Sequence, residues 1–172
     1  MGRDFSASQI NELWLSDITY IWTWEGWMYL AAVMDVYNRQ IVGWALHDRL
    51  SKTLVVDALI KALQERSPQP GLTFHSDRGS QYASHKVKKI LKAWHIHQSM
   101  CNKGNCFDNA MMESFFSSLK KELVHLMTFH SKDQARRAIF EYIEIFYNRK
   151  RRHSALNQKS PLEYYQDATQ TF

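Results

Sequence analysis

Along the first third of the chain, apolar and polar positions alternate in short runs broken by turn residues. Residues 14–23 are rich in Ile, Thr, Tyr and Trp, side chains that fit a pleated, half-buried surface. Glu25-Gly26 supplies a turn, 27–35 resumes as a second strand, Tyr37-Asn38-Arg39 turns again, and 40–46 makes a third strand. Three strands joined by short turns predict an antiparallel meander. The period then changes. Leu54, Ala58 and Leu63 have helical spacing behind Ser51, which predicts a capped helix to about Glu65, ended by Ser67-Pro68-Gln69-Pro70-Gly71. Residues 72–76 read as a short buried strand, 84–94 as a helix and 97–100 as a fifth strand. The stretch 101–108 lacks periodicity and reads as a mobile loop. Asp108 or Asn109 is expected to cap a helix from Ala110 to about His125. Another helix is expected over 131–147, and Ser160-Pro161 opens a short one through Tyr165. The sum is one α/β domain with a mixed sheet.

Composition sets bounds on this picture. The 172 residues are 45% hydrophobic, enough for one compact core. The longest apolar stretches, 28–34 and 41–46, are strand-sized and fall short of the roughly 20 residues that span a bilayer. No apolar segment follows a basic start, so no secretory leader is expected. Two cysteines then point to a reducing, cytoplasmic setting rather than a disulfide framework. A net charge of +5 is by itself a weak pointer to nucleic acid. Its distribution says more: Arg149-Lys150-Arg151-Arg152 follows the aromatic stretch 140–147, as in a packed helix delivering charge to a polyanion.

Three acids carry the candidate chemistry. Alternation puts Asp17 with Thr19 and Ile21 on one face of its strand, opposite Ser16, Ile18, Tyr20 and Trp22. A carboxylate in an apolar strand is costly to bury unless a partner, such as a metal ion, offsets its desolvation. Asp77 ends a predicted strand, where open α/β sheets gather ligands. Glu113 lies in the first turn of a helix. Each alone has a structural explanation: a strand end, a turn, a helix dipole. Together they form a set of hard oxygen donors suited to Mg²⁺ or Mn²⁺. Two such ions in one site can activate an attacking oxygen and stabilise a leaving one at a phosphodiester. His75-Ser76-Asp77 is no hydrolase triad, because adjacent strand residues point to opposite faces. A supporting hydrogen bond is the role expected of His75. His95, His97, Cys101 and Cys106 fit a zinc site poorly in order and spacing.

Three segments then make the sequence recognisable. Trp14-Leu15-Ser16-Asp17-Ile18-Thr19-Tyr20, His75-Ser76-Asp77-Arg78-Gly79-Ser80-Gln81-Tyr82 and Asp108-Asn109-Ala110-Met111-Met112-Glu113-Ser114-Phe115-Phe116 closely resemble the core of bacterial insertion-sequence transposases of the IS-three family. Thirty-five residues separate Asp77 from Glu113, as in that family's D,D(35)E pattern, and Lys120 stands where the family has a basic residue. The segments 35–44 and 147–156, with Ser160-Pro161, also look like recurrent parts of it. The resemblance runs from about Trp14 to Tyr165. It implies an RNase H-like fold, a five-stranded mixed sheet flanked by helices. Residues 1–13 would be an N-terminal extension, 14–148 the catalytic core, and 149–172 a basic C-terminal extension packed on it. It also implies catalysis by Asp17, Asp77 and Glu113 with two Mg²⁺ or Mn²⁺ ions. Water would cleave a DNA strand, and a 3′ hydroxyl would then attack target DNA. A homodimer or higher oligomer on DNA is implied too, with no membrane. The end-reading elements of such transposases lie upstream, so this core is expected to position DNA without choosing its sequence.

Helical spacing places Glu113, Ser117 and Lys120 on one face, which makes Lys120 a candidate phosphate contact. Phe116, Leu119 and Leu123 fall on the adjoining core stripe. Arg78, Asn109, Arg149, Arg151 and Arg152 are further candidate DNA contacts, weighed against turn, cap and solvent roles. Trp24 and Trp27 flank a glycine turn and are expected at the surface. Two other readings share the pattern. A catalytically silent DNA-binding or assembly module need not keep all three acids, and an RNase H-like nuclease need not carry the transposase-type segments.

Overall fold

The computed structural model describes residues 6–101 and 109–170. The loop expected over 101–108 and the cap expected of Asp108 therefore lie outside the described residues, apart from Cys101. Strands β1 (Leu13–Thr23), β2 (Gly26–Asp35) and β3 (Ile41–His47) form the antiparallel meander that the alternation predicts. β4 (Thr73–Ser76) pairs parallel to β1, and β5 (His97–Met100) parallel to β4, giving the order β3-β2-β1-β4-β5. The first strand is thus the central one.

Alternation along that strand feeds two cores. Trp14 packs with Val33, Leu59, Phe74 and Val87 under α1 (Lys52–Arg66) and α2 (His85–Ala93). Its neighbour Leu15 packs on the opposite face with Ile21, Leu30 and Phe115, under α3 (Ala110–Glu122) and α4 (Lys132–Phe140). One glycine sets the depth of the first layer. A Cβ at Gly43 of β3 would lie 2.3 Å from the Ala58 carbonyl oxygen and 2.6 Å from the Ala62 amide, so α1 rests on bare backbone. Trp24 and Trp27 stand 65% and 46% exposed, as their turn predicts.

Helix ends follow local chemistry, with corrections. Ser84 and Ser131 accept hydrogen bonds from Val87 N and Gln134 N and cap α2 and α4. Ser51 stands at the cap position of α1 without a side-chain bond; its carbonyl takes Leu54 N instead. The helix expected to reach His125 stops at Glu122 and passes into a tight turn, Val124–Leu126. The helix expected over 131–147 changes pitch: α4 ends at Phe140, and Glu141–Tyr147 is π-helical. Asn148 N closes this stretch on Ile143 O at 3.0 Å. The wider winding turns Tyr142, Ile143 and Tyr147 together into the core. The last helix, α5 (Pro161–Gln170), is longer than expected and opens on reciprocal bonds between Ser160 and Glu163. No helix among the described residues is long and apolar enough to cross a membrane.

Two polar clusters lock the chain's end to the sheet. Asp35 is fully buried and accepts from Asn11 N, Tyr37 N and Arg66. Arg66 also donates to Gln40 at 2.8 Å and lies 4.2 Å over the ring of Tyr165, while Asn38 Nδ2 donates to the Pro161 carbonyl. At the outer edge of β3, Asn148 accepts from Ile41 N through Oδ1 and donates to Ile41 O through Nδ2, at 2.9 and 3.0 Å. Arg136 donates to Leu46 O farther along the same strand.

Candidate active site

The pairing of β1 with β4 matches Leu13 with Thr73 and Leu15 with His75. Two residues beyond the last of these pairs stand Asp17, inside β1 on the Leu15 face, and Asp77, just past the end of β4. Asp17 is half-buried, and its Oδ1 accepts from the amide of Ile18 at 2.8 Å. Burial pushes its carboxyl up to about 6, against the pull of that amide, and the negative charges of Asp77 and Glu113 push the same way. The three acids therefore share one electrostatic neighbourhood, and a cation placed there would relieve both the burial and the repulsion.

Asp77 stands exposed just past β4, where Oδ1 accepts from Gly79 N at 2.8 Å. A Cβ at residue 79 would lie 2.9 Å from that oxygen, so the glycine keeps the carboxylate's place open. Glu113 is exposed in the first turn of α3. Among the described residues, no three His, Cys, Asp or Glu side chains stand close enough to share one ion as placed.

Behind the acids lies a support that sequence reasoning did not single out. Ser16 Oγ donates to Ala32 O and shares a 2.8 Å hydrogen bond with the fully buried hydroxyl of Tyr82. Tyr82 O in turn accepts from Gln98 on β5. His75 takes the supporting role expected of it, with Nδ1 at 2.9 Å from Ser99 Oγ and Nε2 at 3.3 Å from Cys101 Sγ. A serine pointing into an apolar core beside a tyrosine was the available signal.

The basic candidates divide. Lys120 shares the face of Glu113, and its Nζ lies 5.3 Å from the ring centre of Tyr20 on β1. Phe116 and Leu119 are core, as expected. Arg78 is exposed and donates through Nε to the carbonyl of Cys101 at 2.6 Å. Arg149 and Arg152 are exposed. Arg151 is instead held by Glu122, through Nε and a terminal nitrogen at 2.8–3.0 Å, and also reaches Ser118. Asn109 is corrected: it is 6% exposed, makes no capping hydrogen bond and is not presented to solvent.

A mixed five-stranded sheet in the order β3-β2-β1-β4-β5 with helices on both faces defines the RNase H-like class. The HTLV-2 integrase catalytic core domain in complex with magnesium has the same fold in its trimeric and dimeric forms. Their TM-scores are 0.65 and 0.66 at 14% identity, over 90% and 92% of this chain and 95% and 98% of those chains. The chain belongs to the integrase core domain family, whose sequence models match residues 7–106 and 113–168. It is 46% identical to the transposase for insertion sequence element IS904 of Lactococcus lactis subsp. lactis (strain IL1403), over 95% of this chain and 65% of that protein. It is 44% identical to transposase InsF for insertion sequence IS3A of Escherichia coli (strain K12), over 95% of this chain and 57% of that protein. The chain thus spans about three fifths of these relatives' length.

Proposed function

We propose that this chain is the catalytic core of a DNA transposase that cleaves a DNA strand and joins its end to target DNA. The observation that carries the reading is that the charges of Asp77 and Glu113 both act on the half-buried carboxyl of Asp17, two residues beyond the last β1–β4 pair. Similarity to insertion-sequence transposases along nearly the whole chain supports it. Asp17, Asp77 and Glu113 are the metal ligands and the catalytic residues, holding two Mg²⁺ or Mn²⁺ ions. Bound ions of this kind supply Lewis acidity to the attacking and leaving oxygens of a phosphodiester. The chain's own part is placement: Asp17 comes from the sheet, Asp77 from a turn fixed by the Gly79 amide, and Glu113 from α3. Lys120, Arg78, Arg149 and Arg152 steer the DNA backbone, and the core works as a homodimer or higher oligomer.

The test is Mg²⁺-dependent cleavage of plasmid DNA by the chain and by its Asp17→Asn, Asp77→Asn and Glu113→Gln variants. Cleavage is expected in the parent and abolished in each variant with the fold intact. Full activity in any one variant would remove that residue from the site. A second reading is a catalytically silent assembly module with the same fold. DNA binding without cleavage in either Mg²⁺ or Mn²⁺ would select it.

A further inference from the structure

Beside α3, on the side of the C-terminal segment, lies a cavity. Its volume is about 300 Å³, at the low end of the roughly 300–1,000 Å³ usual for ligand sites. Arg39, Arg151, Arg152, His153, Ser114 and Ser118 contribute to its lining. Arg39 sits in the β2–β3 turn with a left-handed backbone, φ 57°. Three arginines from two distant parts of the chain and two serines thus line one space, with Arg151 in reach of Ser118 Oγ. Glu122 answers Arg151 by an ion pair at 2.8 Å, and Glu163 lies within electrostatic reach of Arg152.

His153 gives the cavity its direction. The residue is 8% exposed, lines the space, and has an Nε2 with no hydrogen-bond partner. Polar atoms so deeply buried are almost always satisfied. Burial first, then the charges of Arg151 and Arg39, hold its imidazole down to about 4 against the opposing charge of Glu122. An oxygen-rich anion would satisfy both the ring nitrogen and the guanidinium groups, which match phosphate geometry in pairs.

We infer that this cavity is a phosphate-binding site, taking a backbone phosphodiester of DNA or the phosphate of a free ester between Arg39, Arg152 and His153 Nε2. Because Ser114 follows Glu113 on α3, a phosphate held here would also steady the helix that carries that acid. The DNA form of the proposal rests on the transposase reading, whereas the phosphate site itself does not.

The experiment is titration of the whole chain with inorganic phosphate in metal-free buffer, followed by the histidine ring signals in NMR. The His153 signals are expected to move and their titration midpoint to rise. Arg39→Gln and Arg152→Gln should each weaken phosphate binding about tenfold at unchanged melting temperature. Glu122→Gln, which leaves Arg151 without its counter-charge, should tighten binding several-fold. A short DNA duplex that displaces phosphate from the parent, and binds less well to the two arginine variants, identifies the DNA backbone as the source. Phosphate binding that the duplex leaves untouched identifies a free ester. His153 signals that stay still, or variants that bind phosphate like the parent, overturn the site. Loss of cleavage with phosphate binding intact would count against the reading of the three acids and not against this one.

Discussion

Arg66 stands 3.4 Å from the carboxylate of Asp35, and the two side chains are 3% and 0% exposed. The pair joins the end of α1 to the end of β2, and the ring of Tyr165 covers the guanidinium. Asp35→Ala strands a buried cation and should cost about 3–5 kcal/mol in urea unfolding. Arg66→Lys should restore little, because an ammonium cannot reach both Asp35 and Gln40 while lying flat on a ring. A loss below about 1 kcal/mol for Asp35→Ala, the scale of an exposed pair, would show that the pair does not hold the fold together.

Gly43→Ala puts a methyl group into the backbone of α1, 2.3 Å from the Ala58 carbonyl. Overpacking of this kind costs about 1–3 kcal/mol, and rigid backbone on the other side favours the upper end. A melting temperature equal to the parent's would mean that α1 can lift off β3 freely.

Two contributions to stability should be lost in acid, in separate windows. Burial and neighbouring arginines hold His153 at about 4, below its ordinary 6.5, so the unfolded ring gains a proton that the folded ring refuses. Its contribution is complete above pH 6.5 and falls as the pH drops toward 4. Burial alone would raise the Glu122 carboxyl, but hydrogen bonds from Arg151 and Tyr142 outweigh it and hold the group below 4.5. That contribution is present above pH 4.5 and disappears in stronger acid. His153→Gln should flatten the upper stage alone. Melting curves of parent and variant across pH decide it. Asp17 titrates the other way in the same window, so the difference between the two curves is read. A difference that stays constant between pH 6.5 and 4 would refute the first stage.

Without divalent metal, Asp17→Asn should stabilise the protein at neutral pH even as it removes cleavage. The folded carboxyl titrates at about 6 rather than 3.8. Its favourable contribution is therefore lost as pH rises through that window, and the charged form is a burden at pH 7. The gain should be on the order of 2 kcal/mol, and saturating Mg²⁺ should reverse the order of parent and variant. A metal-free variant less stable than the parent would show that neither burial nor its acidic neighbours strain Asp17.

Lys120→Ala should weaken DNA binding and reduce its salt dependence by about one phosphate contact. Filter binding at several ionic strengths reads this directly. An unchanged slope would leave Lys120 as a partner of Tyr20 alone.

What was legible in the sequence followed periodicity. Strand alternation showed the meander and put Asp17 on the opposite face from Ser16, because both depend on residues two apart. The neighbourhood of Asp17 and Asp77 was not readable that way, since it arises from the parallel pairing of Leu15 with His75, with β2, β3 and α1 between them in the chain. Nor was the π-helical winding after Phe140, because Tyr142, Ile143 and Tyr147 would serve an ordinary helical stripe equally well. Asn109 had the right chemistry and position for a cap, but its buried side chain makes no capping bond. Asp35 opened a recognisable segment and Arg66 stood at the end of a predicted helix, yet their partnership required the β2–β3 turn and α1 to be folded together first.

The grip of Asn148 on both backbone groups of Ile41 reaches beyond local packing. β3 ends the sheet, and an edge with open amides and carbonyls invites another chain to add a strand. Asn148 occupies the place such a strand would take, and Arg136 claims the Leu46 carbonyl farther along. Cutting the chain before residue 148 would therefore expose an adhesive border, and the shortened protein should self-associate while its central strands remain folded.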